Sequence, residues 1–151
     1  MKPNIIRTVT WRFHDSASIY PHLTNQTLII SSPEDFFKHF LFLFQNQVKE
    51  RFVVVWLNSC NKVSGFEIVT EGLLNSSLVH PREVFRGAIV ATAASIIIAH
   101  NHPSGNAVPS QEDIAITKQL VESSKILGIP LHDHVIITNN SYHSMAEHNQ
   151  L

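Results

Sequence analysis

Two histidines and an aspartate are spaced in this sequence as the ligands of one metal ion could be. His100 and His102 end the apolar run Ser95–Ala99, which predicts a buried strand. Because alternate residues of a strand point to the same face, both imidazoles can reach one ion. Asp113 follows in the first turn of a predicted helix. Three protein ligands leave a fourth position for water, as in a catalytic zinc site.

The segment between these residues predicts the end of a strand and the start of a helix. Its turn-forming residues are Pro103, Ser104, Gly105 and Pro109. Ser110 suits the N-cap position, with Asp113 three residues later. Such a pair is also a capping box, in which the carboxylate serves only a backbone amide. On spacing alone, Asp113 is either a capping residue or a metal ligand. The preceding His-x-His favours the role of metal ligand.

The order His100-x-His102-x7-Ser110-x2-Asp113 resembles the JAMM motif of the JAB/MPN metalloproteases. Longer segments are similar, more specifically, to the JAB domain of the RadC family: Leu74–Phe85, Ala99–Gly105 and Gly128–His134. The resemblance runs from about residue 33 to about residue 148. It implies the JAB/MPN (cytidine-deaminase-like) architecture, an α/β fold with a mixed central sheet flanked by helices.

The resemblance also implies roles for two further residues. In JAMM enzymes a glutamate on an earlier strand is hydrogen-bonded to the metal-bound water, and the matching position is Glu50. The motif serine, here Ser110, helps to stabilise the oxyanion. Judged by residue pattern alone, Glu67 and Glu71 are rivals of Glu50, and a solvated surface role is open for Glu50 as well.

A second His-x-His, formed by His132 and His134, competes for the ion. It lacks a third ligand at a suitable spacing, and alternate residues on a solvent-facing strand explain it equally well. The resemblance implies that Asp133 and His134 support the site, since ligating histidines usually have a carboxylate or carbonyl behind them. Ser104 is predicted to shape the loop or to offer its amide to a substrate carbonyl.

Composition and pattern indicate one folded domain. The chain has 151 residues, of which 44% are hydrophobic and 15% are charged, enough for a core. We assign residues 32–151 to a RadC-like JAB/MPN domain and residues 1–31 to an N-terminal extension without a clear motif. Predicted helices begin at Pro33 and cover 81–94 and 111–127, and predicted strands cover 51–58, 63–70, 95–100 and 131–138. A turn at Asn139–Asn140 and a short tail follow.

The single cysteine, Cys60, excludes an internal disulfide and favours a reducing compartment. No segment has the pattern of a secretion signal or a membrane span, so we expect a cytoplasmic protein without membrane association. The formal net charge is −1 and the eleven Lys and Arg residues are scattered, which gives nucleic-acid binding little support. Oligomeric state does not follow from the sequence.

We therefore expect a zinc-dependent hydrolase of the JAMM type, with one Zn²⁺ per chain, that cleaves peptide or isopeptide bonds in a peptide or protein substrate. Similar folds and ligand sets host more than one chemistry. Two alternatives stay open: a DNA-repair-associated protein, as the traditional label of the RadC family implies, and a metal-bound scaffold with little or no catalysis.

Overall fold

Five strands and three α-helices make up the part of the chain that a computed structural model describes, residues 8–15, 18–23, 27–72 and 79–151. The strands are β1 (Glu50–Leu57), β2 (Val63–Gly72), β3 (Ser95–Asn101), β4 (Leu131–Ile137) and β5 (Tyr142–Ser144). The helices are α1 (Pro33–Phe40), α2 (Pro81–Val90) and α3 (Gln111–Leu127), and short 3-10 helices span Pro21–Leu23 and Leu41–Leu43.

The strands form one mixed sheet in the order β2-β1-β3-β4-β5. β1 is antiparallel to both β2 and β3, and β5 is antiparallel to β4. β3 and β4 are parallel and are connected through α3, as a parallel pair requires. The predicted α/β fold, a mixed central sheet flanked by helices, is confirmed.

Helices cover both faces of the sheet, and each face has its own apolar core. α1 packs on one face, and α2 and α3 pack on the other. The α1 face includes Val53, Val55, Ile97, Ala99 and Val135. The opposite face includes Phe52, Val54, Trp56, Ile96 and Ile98. Alternation along β3 therefore directs His100 to the side of α2 and α3, at the C-terminal end of the strand.

Two helices begin with the same serine cap. Ser32 Oγ accepts a hydrogen bond from the Asp35 N–H, and Ser110 Oγ accepts one from the Asp113 N–H, each at 3.1 Å. Gly128 caps the C-terminal end of α3 with a left-handed φ of 67°, which glycine adopts without strain. The predicted bounds of α3 are confirmed at both ends, because Ser110 caps its start and Gly128 caps its end.

The structure departs from the predicted elements in two places. The predicted tail contains the edge strand β5, which is too short and polar for an alternating pattern to reveal. α2 ends at Val90 rather than at Ala94, because Thr92 takes a left-handed φ of 51°. Residues 74–78 of the motif segment Leu74–Phe85 lie outside the described residues.

The predicted domain boundary at residue 32 follows a segment that already packs on the sheet. Leu28 and Ile30 are buried, and their backbones bond to Val63 and Asn61 near the β1–β2 turn. Of the predicted extension, residues 1–7, 16–17 and 24–26 lie outside the described residues. The division at residue 32 stays a prediction.

None of the helices in the described ranges combines the length and the apolar character needed to cross a bilayer. α3, the longest, buries one stripe that contains Asp113, Ile116, Thr117, Leu120 and Ser124. Packing on the sheet accounts for this stripe.

Candidate metal centre

The structure brings His100, His102 and Asp113 together at the C-terminal end of β3. His100 Nε2 lies 2.9 Å from His102 Nε2 and 3.1 Å from Asp113 Oδ1. His102 Nε2 lies 3.3 Å from Asp113 Oδ2. One possible ligand atom from each residue falls within 4.8 Å of the others. Three donor groups therefore converge on one point.

Asp113 forms the capping box and also lies within the group of candidate ligands. Its Oδ2 accepts a hydrogen bond from the Ser110 N–H at 2.7 Å, which completes the capping box and fixes the carboxylate. Burial alone would raise the pKa of Asp113, but the adjacent imidazoles of His100 and His102 outweigh burial and hold that pKa well below its usual value. The carboxylate is therefore ionised at neutral pH and is oriented for a cation.

The two imidazoles are held from behind by different groups. His102 Nδ1 lies 2.7 Å from the Asn106 carbonyl oxygen. Because a carbonyl only accepts, Nδ1 carries the hydrogen and Nε2 is left to face Asp113. His100 Nδ1 lies 2.8 Å from Nε2 of His134, a fully buried residue of β4.

Thr117 completes this chain of hydrogen bonds and sets its direction. Thr117 Oγ1 lies 2.6 Å from the Asp113 carbonyl oxygen and 2.6 Å from His134 Nδ1. The hydroxyl gives its one hydrogen to the carbonyl, so His134 Nδ1 donates to Thr117. Burial lowers the pKa of His134 well below its ordinary value, so the ring is neutral and its Nε2 accepts from His100 Nδ1. His100 is thereby assigned the tautomer that presents Nε2 to Asp113.

The chemistry of this donor set fits a divalent cation. Two imidazoles and a carboxylate are a common ligand set for Zn²⁺. Acceptor atoms that face one another this closely repel unless a positive charge, from protons or a metal ion, lies between them. The raised pKa of His102, caused mainly by its hydrogen bond to Asp113, reflects the same attraction for positive charge. His134, Asn106 and Ser110 contact the three candidate ligands, and metal ligands usually have such supporting partners.

Glu50 lies in the neighbourhood of this centre, at the start of β1. Its negative charge adds to the raised pKa of His102, after the larger contribution of Asp113. The two rival glutamates form ion pairs elsewhere, Glu67 with Arg86 at 3.1 Å and Glu71 with Arg51 at 2.8 Å. The role of Glu50 in proton transfer stays a prediction.

The second His-x-His does not place its two side chains together. The register of β4 against β3 shifts at His132, which is exposed, whereas His134 is buried behind His100. Asp133 faces the α1 side of the sheet, where the Ser144 hydroxyl donates to it at 2.6 Å. The predicted supporting pair is thus divided between the two faces, and His134 alone of the two contacts a candidate ligand.

Ser104 lies in the exposed turn after β3, with its Oγ 3.5 Å from the Asn106 nitrogen. This position fits the predicted role in shaping the loop. Sequence reasoning missed Asn106 and Thr117. Thr117 is a polar residue that lies one helical turn after Asp113, on the buried stripe of α3. This position could have identified it from the sequence. Asn106 contacts His102 through its backbone carbonyl. Every residue has such a carbonyl, so the residue type at position 106 could not have predicted this contact.

Comparison with known protein families assigns the chain to one of them. A family model described as the RadC-like JAB domain matches residues 30–150, a range that contains every candidate ligand. The chain belongs to the RadC family. The RadC match covers the segments on which the resemblance was based.

Several RadC-family relatives carry the name UPF0758 protein. The chain is 49% identical over 118 residues to the one from Staphylococcus carnosus and 45% identical over 118 residues to one from Methanosarcina mazei. Both alignments cover 78% of this chain and 52% of the relative. A relative from Moorella thermoacetica is 53% identical over 103 residues. This alignment covers 68% of this chain and 45% of the relative. The chain therefore spans about half the length of these relatives.

Proposed function

We propose that this RadC-family domain is a zinc-dependent hydrolase of the JAMM type that cleaves peptide or isopeptide bonds. The convergence of His100, His102 and Asp113 beside Glu50 carries the proposal. Three protein ligands leave one position of a tetrahedral zinc open to a reacting group. Bound there, Zn²⁺ would lower the pKa of water towards about 7 and polarise a substrate carbonyl.

Glu50 moves the proton in this proposal. Its carboxylate takes a proton from the attacking water and returns it to the amide nitrogen that leaves. The contribution of the Glu50 charge to the raised pKa of His102 supports this role. Glu67 pairs with Arg86 and Glu71 pairs with Arg51.

Ser110 supports the oxygen that becomes negative when the carbonyl is attacked. Its Oγ accepts a hydrogen bond from the Asp113 N–H, which leaves the hydroxyl hydrogen for a substrate oxygen. Loss of one such donor typically lowers kcat by about 10²-fold or more. The capping box places this hydroxyl next to the ligand that it caps.

Zinc content and peptide hydrolysis, measured on the same preparations, test the proposal. Protein purified without chelator or metal-affinity tag is reconstituted with zinc and assayed on quenched-fluorescent peptide libraries and isopeptide-linked substrates. We expect one zinc per chain in wild type and in Glu50→Gln, with activity lowered by about 10²- to 10⁴-fold in Glu50→Gln. The matched control Glu67→Gln, which changes a glutamate paired with Arg86, keeps both zinc and activity.

Each contrary outcome identifies the part of the proposal that fails. Wild-type protein that takes up no zinc on reconstitution overturns the metal centre. Zinc-loaded wild type that is as inactive as Glu50→Gln on every substrate favours the scaffold alternative. Full activity in Glu50→Gln overturns the role of Glu50 in proton transfer.

A further inference from the structure

β1 and β3 pair along most of their length and separate next to the metal centre. The last pair of their antiparallel ladder is Phe52 with His100. A regular continuation would place Glu50 directly opposite His102. The ladder therefore stops just before the two strands reach the residues on which the proposed function depends.

Asn101 joins the two strands where their ladder ends. Its side chain is buried, with 3% of the residue exposed. Asn101 Oδ1 accepts a hydrogen bond from the Arg51 N–H at 2.7 Å, and Nδ2 donates to the Lys49 carbonyl at 3.1 Å. These backbone groups belong to the residues on either side of Glu50. One carboxamide thus holds the chain before and after the candidate proton carrier.

We propose that Asn101 is a positioning residue that holds Glu50 at a set distance from His100, His102 and Asp113. The inference rests on the proposed function, because Asn101 acts through Glu50. The residue between the two candidate histidine ligands binds the backbone of the candidate proton carrier. Ligands and proton carrier therefore cannot shift independently of each other.

Arg51 reinforces the same stretch of backbone. Its Nη1 donates to the Leu43 carbonyl at 2.8 Å, and its Nε donates to Glu71 at 2.8 Å. The residue after Glu50 is therefore held through its side chain as well as through its N–H. Such restraint matters for catalysis, because a displacement of about 1 Å can cost about 10²-fold in rate.

Cobalt substitution tests this role without a known substrate. Co²⁺ accepts imidazole and carboxylate ligands, and its visible absorption reports on the surroundings of the ion. Spectra are recorded against pH for wild type, Asn101→Ala, Asn101→Thr and Glu50→Gln. Asn101→Thr retains strand propensity and keeps the test valid if Asn101→Ala fails to fold.

Asn58→Ala is the matched control. Asn58 Oδ1 accepts hydrogen bonds from the backbone N–H groups of Cys60 and Lys62, at 2.9 Å and 3.0 Å. This carboxamide also binds the backbone, but at the opposite end of β1 from Glu50. Its loss should leave the cobalt spectrum and its pH dependence unchanged.

Both Asn101 variants are expected to bind Co²⁺ with wild-type affinity, since Asn101 is not a ligand. The pH at which the spectrum changes should move in the same direction as in Glu50→Gln. Asn101→Ala combined with Glu50→Gln should add no further shift, because both changes act on one carboxylate. In the zinc enzyme, Asn101→Ala should lower kcat by about 10- to 100-fold and leave KM nearly unchanged.

A wild-type pH midpoint in both Asn101 variants, with a shifted midpoint in Glu50→Gln, overturns the positioning role and leaves the proposed function intact. An unshifted midpoint in Glu50→Gln overturns the proposed role of Glu50 and that of Asn101 with it. A loss of Co²⁺ affinity in the Asn101 variants as large as that in His102→Ala also overturns the inference, because Asn101 would then act on the ligands.

Discussion

The pair His100 and His102 and the pair His132 and His134 have the same spacing but different surroundings. The first pair ends a regular strand, and both imidazoles face Asp113. In the second pair one imidazole is buried behind His100 and the other is exposed. The cause is the shift in register of β4 at His132, which breaks the alternation that the first pair retains.

The difference shows that two histidines become a candidate metal site only when a third group lies within reach. For the first pair that group is Asp113, brought by the capped start of α3. Within the described ranges, His100, His102 and Asp113 are the one such group of three. His134 instead supports the first pair, so the two patterns cooperate rather than compete.

Removal of one histidine from each His-x-His pair should give the largest difference in zinc affinity. We expect His102→Ala to lower zinc affinity by at least about 10²- to 10³-fold, because one of three protein ligands is removed. His132→Ala should bind zinc as wild type does. Competition with a chromogenic chelator measures both affinities, and equal losses in the two variants would contradict the assignment of the site.

His134→Ala is expected to have the next largest effect. It leaves His100 Nδ1 and Thr117 without their partner and creates a cavity, so the free energy of unfolding should fall by about 2–4 kcal/mol. Zinc affinity should fall by about 10- to 100-fold, as for other residues that orient a ligand. Urea denaturation and chelator competition measure these changes, with His132→Ala as control. Zinc affinity equal to that of the control would show that His134 does not orient the site.

Ser32 and Ser110 make the same N-cap hydrogen bond, but only Ser110 caps a helix that carries a candidate ligand. Ser110→Ala and Ser32→Ala should each lower the free energy of unfolding by about 1 kcal/mol, since each removes one cap. Ser110→Ala alone should also weaken zinc binding, by a few-fold, because its cap orients Asp113. A similar loss of zinc affinity in Ser32→Ala would mean that helix stability, and not ligand orientation, is responsible.

The smallest expected effect concerns how the free energy of unfolding of the metal-free protein depends on pH. His102 and His134 should contribute to this dependence with opposite signs. The raised pKa of His102 contributes stability that is present below the unfolded value of 6.5 and is lost as pH rises through the folded pKa. The lowered pKa of His134 contributes stability that is present above 6.5 and is lost as pH falls.

Denaturation at about pH 5.5 and about pH 8.5 compares these contributions, on either side of the ordinary histidine pKa. The stability difference between wild type and His102→Ala should be larger at the lower pH. The difference between wild type and His134→Ala should be larger at the higher pH. Slopes of the same sign would show that the pKa values of the two rings are not shifted in opposite directions.

Local patterns predicted much of the fold and the core of the site. Ser110 and Gly128 mark the ends of α3, and His100, His102 and Asp113 follow from alternation and a helix start. Alternation along β4 is enough to place Asp133 on the face opposite His134. The separation of His132 from His134 depends on a register shift between β3 and β4, which the sequence of β4 does not reveal. The partners of Asn101 lie about fifty residues earlier in the chain, so only the fold brings them together.

All three candidate ligands, together with Thr117 and His134, belong to the single unit β3–α3–β4. Their spacings are local in sequence, so a short stretch of the chain carries every candidate ligand. Glu50 lies outside this unit, on β1. Loss of the glutamate at position 50 during evolution would therefore remove the proposed proton carrier and leave every candidate ligand in place.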